Sequence, residues 1–141
     1  RKKKHLNMLT RLKRSIIMVK VNVKDVGGFI VKNDERYVVK DNTHLNNLVL
    51  SSTDLNPGRQ TSGHHHKGQE EVYIFTGGNG RMLIGDYGLI PGDSDILTIN
   101  KNFRVDEGDI VLIEDGKYHQ VINDSEGMLS FVCVFDGGRK H

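Results

Sequence analysis

The stretch Gly58-Arg-Gln-Thr-Ser-Gly-His64-His65-His66-Lys-Gly-Gln-Glu70-Glu71-Val-Tyr-Ile-Phe-Thr-Gly-Gly78-Asn-Gly80 places adjacent histidines just ahead of two glutamates and an alternating apolar run. On extended backbone, residues two apart share a face, so His64 and His66 can aim their imidazoles at one point while His65 turns away. Lys67, Gly68, Gln69 and Glu70 are long enough to reverse the chain. The expectation is a hairpin in which Glu71 opens an antiparallel strand beside the histidines and brings a carboxylate to the same point. Glu70 then falls on the opposite face.

A fourth candidate ligand lies in Gly108-Asp-Ile-Val-Leu-Ile-Glu114-Asp-Gly116-Lys-Tyr-His119-Gln-Val-Ile-Asn123, a strand, a glycine-bearing turn and a second strand near a histidine. Together the two stretches resemble the paired motifs of the cupin superfamily. Gly58, His64, His66, Glu71 and Gly78 stand at the spacing of the first motif, and Gly108, Gly116, His119 and Asn123 at that of the second. One position departs, since Glu114 stands where the second motif usually has a proline. Proline there stiffens a turn and binds no metal, so the departure bears on the loop. The resemblance covers residues 58 to 123, roughly half the chain. It implies an all-β fold, a single-domain double-stranded β-helix or jelly-roll barrel, with His64, His66, Glu71 and His119 around one ion.

Composition agrees with such a domain. A chain of 141 residues suits one core that buries about two thirds of its unfolded surface. Sixteen glycines, two prolines and no tryptophan favour short strands joined by turns. The single cysteine, Cys133, has no partner for an internal disulfide and lies in the apolar run from Leu129 to Phe135, where it reads as a small buried hydrophobe. No stretch approaches the roughly 20 apolar residues that span a bilayer, and no secretory h-region is present at the start. The expected location is the cytoplasm.

The net charge of +2 is unevenly spread. Residues 1–17 hold seven Lys or Arg and no acid, which leaves 13 bases against 18 acids, a net of −5, in the remainder. Leu9, Leu12 and Ile16 recur at helical spacing, so this basic arm is expected to form a short amphipathic helix packed on the barrel or a partner subunit. It is too short for a helix-turn-helix domain and no second basic cluster supports it, so neither nucleic acid nor membrane is expected as partner. The barrel domain is placed at residues 18–141, with Val19 to Val23 as its first strand.

Further strands are expected at Phe29 to Val31, Tyr37 to Val39, Leu45 to Leu50, Glu71 to Thr76, Arg81 to Ile84, Ile96 to Ile99, Phe103 to Val105, Ile110 to Ile113, His119 to Ile122 and Leu129 to Phe135. Glu71 to Thr76 and Arg81 to Ile84 read as a hairpin across Gly77 to Gly80, and residues 86–95 as a mouth loop. Apolar residues on the early strands suggest a homodimer.

Three imidazoles and one carboxylate suit a divalent Mn, Fe, Co, Ni or Zn ion, and in octahedral coordination leave two positions for water or a small-molecule substrate. Tyr73, two residues beyond Glu71 on the same strand face, is the candidate catalytic residue, a proton donor or substrate anchor near the ion. Phe75 continues that inward line. The family hosts many reactions. A sugar or sugar-phosphate isomerase or epimerase is the leading expectation, with an Fe-dependent dioxygenase and a non-catalytic ligand-binding module as alternatives.

Overall fold

The computed structural model describes residues 20–89 and 91–138. The basic arm lies outside the described residues. Strands β1 (Phe29–Asn33), β2 (Tyr37–Asn42), β3 (Leu48–Leu55), β4 (Glu71–Gly77), β5 (Asn79–Tyr87), β6 (Leu97–Asp106), β7 (Ile110–Ile113), β8 (Tyr118–Ile122) and β9 (Leu129–Asp136) follow in chain order. They form two antiparallel sheets, one ordered β1-β2-β3-β9-β4-β7 and one ordered β6-β5-β8. The fold is an all-β jelly roll, and no described helix is long and apolar enough to cross a membrane.

Period-two patterning puts one face of each sheet into a shared core. On β4, Glu71, Tyr73 and Phe75 are buried while Val72 and Ile74 are half-buried. Across the larger sheet, Phe75 stands opposite Phe131 and Tyr73 opposite Cys133. Phe75, Leu55, Met82, Leu129, Val105 and Val121 are almost wholly enclosed. Each large side chain of this kind contributes about 1.5–3 kcal/mol by leaving water. Cys133 is buried as expected.

Several expected elements differ. Among the described residues of Val19 to Val23 there is no strand: Asn22 and Asp25 pair across a tight turn, and their side chains accept hydrogen bonds from Lys24 and Gly27 backbone N–H groups. Such local side-chain bonds compete with strand pairing. Leu45 to Leu50 becomes Leu48–Leu55, because Ser51 and Thr53 are small enough to face the core between Val49 and Leu55. The two runs at Ile96 to Ile99 and Phe103 to Val105 are one strand, β6, paired to β5 throughout with a bulge opposite the Ile84–Gly85 step. Its exposed Asn100, Lys101 and Asn102 hid that continuity from hydrophobic patterning. Asp86 and Tyr87 belong to β5, so the following loop is shorter than the sequence suggested.

The expected hairpin between Glu71 to Thr76 and Arg81 to Ile84 is absent. β4 and β5 lie in different sheets, and the chain switches between them at Gly78. Gly78 has φ of 80°, and a Cβ there would collide with the Met128 carbonyl. Only glycine meets both conditions.

Asn123 closes the far end of the barrel. Its Nδ2 donates to Leu55 O at 2.9 Å and Gly127 O at 2.8 Å, and its Oδ1 accepts from Ser125 N at 3.0 Å and Ser125 Oγ at 2.7 Å. The side chain is fully buried. Asn123→Ala removes the donor to the buried Leu55 carbonyl and the acceptor for Ser125 N–H, while the Gly127 carbonyl keeps the Ser125 hydroxyl; it is expected to cost roughly 1–3 kcal/mol in urea denaturation, whereas Leu112→Ala, at a site 72% exposed, is expected to change stability by less than about 0.5 kcal/mol. Equal effects from the two would refute the keystone role.

Candidate metal centre

The histidines reach their place by pairing with β8. After the turn in which Arg59 N–H donates to Asn56 O at 3.2 Å, the segment runs along the β8 edge. Thr61 N–H donates to Val121 O at 2.9 Å, and Val121 N–H donates to Thr61 Oγ1 at 3.0 Å. His64 and His119 then exchange backbone hydrogen bonds at 3.2 and 2.9 Å. The histidine stretch is therefore not one arm of a hairpin with Glu71, as its sequence suggested, but an irregular addition to the smaller sheet. Glu71 begins β4 in the larger sheet, where β9 and β7 occupy both of its edges. Residues 67–70 cross from one sheet to the other.

The crossing still delivers the expected convergence. Ligand atoms of His64, His66 and Glu71 all lie within 4.8 Å of one another. The His64 ring sits 4.7 Å from that of His66 and 4.4 Å, edge to face, from that of His119. His119 Nε2 stands 3.5 Å from Glu71 Oε2. Glu71 is buried, and His119 is only 2% exposed. Glu70 is exposed. His65 points away and packs on Tyr87 with ring centroids 4.6 Å apart.

His119 carries the clearest chemical signature. Its Nδ1 lies 3.0 Å from the Lys117 carbonyl, an acceptor only, so Nδ1 bears the proton and Nε2 presents a lone pair. Burial holds the His119 pKa below the usual imidazole range. That Nε2 is enclosed and has no hydrogen-bond partner, a condition that costs about 1–3 kcal/mol in a folded protein. A divalent cation satisfies a neutral imidazole lone pair and a neighbouring carboxylate together. The residues therefore fit a metal ion.

Tyr73 faces inward as expected, with its ring 5.5 Å from His119, edge to face, and stacked 5.4 Å from Phe131. It stands opposite Cys133 across the β4–β9 pair, and burial, with that thiol nearby, pushes its phenol pKa well above the ordinary value. Tyr118, next to His119 on β8, is buried against Tyr87, with ring centroids 6.0 Å apart. Of the basic residues near the motifs, Lys117 is tied to Asp86 and Arg104 to Asp124. Sequence reasoning missed Asp86, and it missed Gln69, whose Oε1 is buried without a hydrogen-bond partner. Neither sits at a motif position, so only spacing in three dimensions reveals them.

The family model described as the cupin domain matches residues 52–135. The chain belongs to the cupin family. Among solved cupin-like structures, TT1209 from Thermus thermophilus superposes with a TM-score of 0.64 at 18% identity, over 85% of this chain and 97% of that one. KdgF from Halomonas sp. gives 0.59 at 13% identity, over 82% and 91%. Bacillus subtilis oxalate decarboxylase, a protein described with Mn(II) centres, gives 0.58 at 19% identity, over 75% of this chain and 27% of its own. The cupin chain thus spans about a quarter of the decarboxylase. No curated protein matches the sequence.

Two outcomes are expected. His66→Ala and His119→Ala should each sharply lower bound metal by elemental analysis, while His65→Ala should retain it; equal loss in all three would overturn the placement of His65. In metal-free protein, His119 has a folded pKa below its unfolded value of 6.5. The unfolded chain therefore takes up this proton first, and stability present above that pH should fall as the pH drops through and below it. His119→Gln should flatten that part of a pH series of urea midpoints.

Proposed function

We propose that this cupin is a metal-dependent enzyme acting on a small oxygen-bearing molecule, of the sugar or sugar-phosphate isomerase or epimerase type. The observation that carries the reading is the convergence of His64, His66 and Glu71, with His119 Nε2 3.5 Å from the Glu71 carboxylate and aimed inward as an unprotonated lone pair. Held by these residues, a divalent Mn, Fe, Co, Ni or Zn ion supplies Lewis acidity toward a carbonyl or hydroxyl oxygen. The Lys117 carbonyl holds His119 in the ligating tautomer. Tyr73 keeps its proton across the physiological range, so its role is that of a neutral donor and a wall against the His119 ring. The decarboxylase likeness supports the reading only in showing this fold in an enzyme with Mn(II) centres.

The test is label exchange. Protein loaded with Mn or Zn is incubated anaerobically in deuterated water with a panel of aldoses, ketoses and uronates, free and phosphorylated, and followed by NMR. Deuterium entering a substrate C–H supports the proposal. No exchange across the panel, with dioxygen uptake by the Fe form, would replace it with a dioxygenase. A ligand that raises the melting temperature while neither signal appears would replace it with a binding module.

A homodimer is part of the same proposal. Phe29, Ile30 and Val31 on edge strand β1 are 61%, 58% and 52% exposed, a run of apolar side chains suited to a second copy. Sedimentation at micromolar concentration is expected to show a dimer, and monomer alone would count against it.

A further inference from the structure

Each ligand-bearing stretch changes sheets through a tight turn, and the two turns lie side by side because the elements they join are paired. His64 faces His119 in one sheet, and Glu71 faces Ile113 in the other. The first turn is His66-Lys67-Gly68-Gln69, in which Gln69 N–H donates to His66 O at 3.2 Å and Gly68 has φ of 83°. The second is Glu114-Asp115-Gly116-Lys117, in which Lys117 N–H donates to Glu114 O at 3.2 Å and Gly116 has φ of 72°. Positive φ at the third position alone is the type II arrangement. No proline stiffens either turn.

The turns are joined to each other. Asp115 Oδ1 accepts a hydrogen bond from Gly68 N–H at 2.6 Å. A carboxylate accepting from a backbone N–H makes a short, charge-assisted bond of roughly twice the ordinary strength. The second turn is also fixed on its other side, where Lys117 Nζ lies 2.9 and 3.0 Å from the two oxygens of Asp86, a carboxylate that Asn100 Nδ2 also meets. Lys117 contributes the carbonyl that orients His119. One bond therefore connects the loop between His66 and Glu71 to the turn that sets the direction of His119.

We propose that Asp115 is a positioning residue of the metal centre, holding the His66 loop in register with the turn that orients His119 so that ligands from two sheets keep one spacing. The inference rests on the metal reading above. Both Asp115 and Gly68 are exposed. Water replaces such a bond readily in the unfolded chain, so it adds little to global stability and acts on the order of the loop. An ordinary surface hydrogen bond would instead leave metal binding untouched.

The full chain is loaded with Zn(II), and its release is timed with an excess of a chromophoric chelator. Urea denaturation of each metal-free variant is run in parallel. Asp115→Ala is expected to release Zn(II) on the order of tenfold faster than wild type, within the range seen when partners of ligands are removed, with an unchanged urea midpoint. Asp115→Asn keeps an acceptor oxygen and should recover most of the difference. The proposal falls if Asp115→Ala releases metal at the wild-type rate, or if Asp115→Asn is as impaired as Asp115→Ala. It falls equally if the alanine variant cannot fold, since a contact on an exposed turn must leave the core intact. Wild-type protein that takes up no Zn(II) would defeat the metal reading and this inference together, whereas metal retained normally by wild type and Asp115→Ala alike would defeat the positioning role alone.

Discussion

The reciprocal backbone hydrogen bonds between His64 and His119 are the constraint on which the rest of the centre depends. They extend the smaller sheet by a segment too irregular to count as a strand, and they place two imidazoles from distant parts of the sequence edge to face. Everything else in the site is then a matter of bringing His66 and Glu71 to that pair. Glu71 comes from the facing sheet, so the imidazoles and the carboxylate meet between the layers, where burial strengthens every charge interaction.

That placement carries a cost. Glu71 and His119 are enclosed polar groups at the end of an apolar core, and a carboxylate and imidazole removed from water weaken the fold unless they are compensated. The barrel supports them by packing aromatic residues beneath. Phe75, Phe131 and Tyr73 form a continuous ring cluster, and the Tyr73 ring closes against His119. Stability concentrates at the other end, where Leu55, Leu129 and Asn123 join hydrophobic burial to a saturated hydrogen-bond hub. One end of the sandwich is built for cohesion, and the other gathers imidazoles and a carboxylate.

The turns between sheets do more to position the converging side chains than their exposure suggests. Residues 66–69 and 114–117 each leave one layer and enter the other, so any looseness in them would change the spacing of ligands that belong to different sheets. Their glycines set the direction of the crossing, and side chains outside the ligand set, Asp115, Lys117 and Asp86, tie the crossings to one another and to β5.

Legible in the sequence were the kind of fold, the burial of alternate residues along β4, β8 and β9, and the side chains that would meet at one point, because period-two alternation and motif spacing are local properties of the chain. It placed His64 and His66 together and His65 apart for the same reason. Which strands pair is not local, so both expected hairpins at β4 gave way to crossings between sheets. The continuity of β6 was masked by Asn100, Lys101 and Asn102, polar residues whose place in a strand is decided by their partner β5. It took the closed fold to settle that His119 presents Nε2, that the Tyr73 ring meets that of His119, and that Asp115 reaches Gly68. Each of those depends on one atom of a side chain meeting a group brought near by the closure of two sheets, and no spacing along the chain records that meeting.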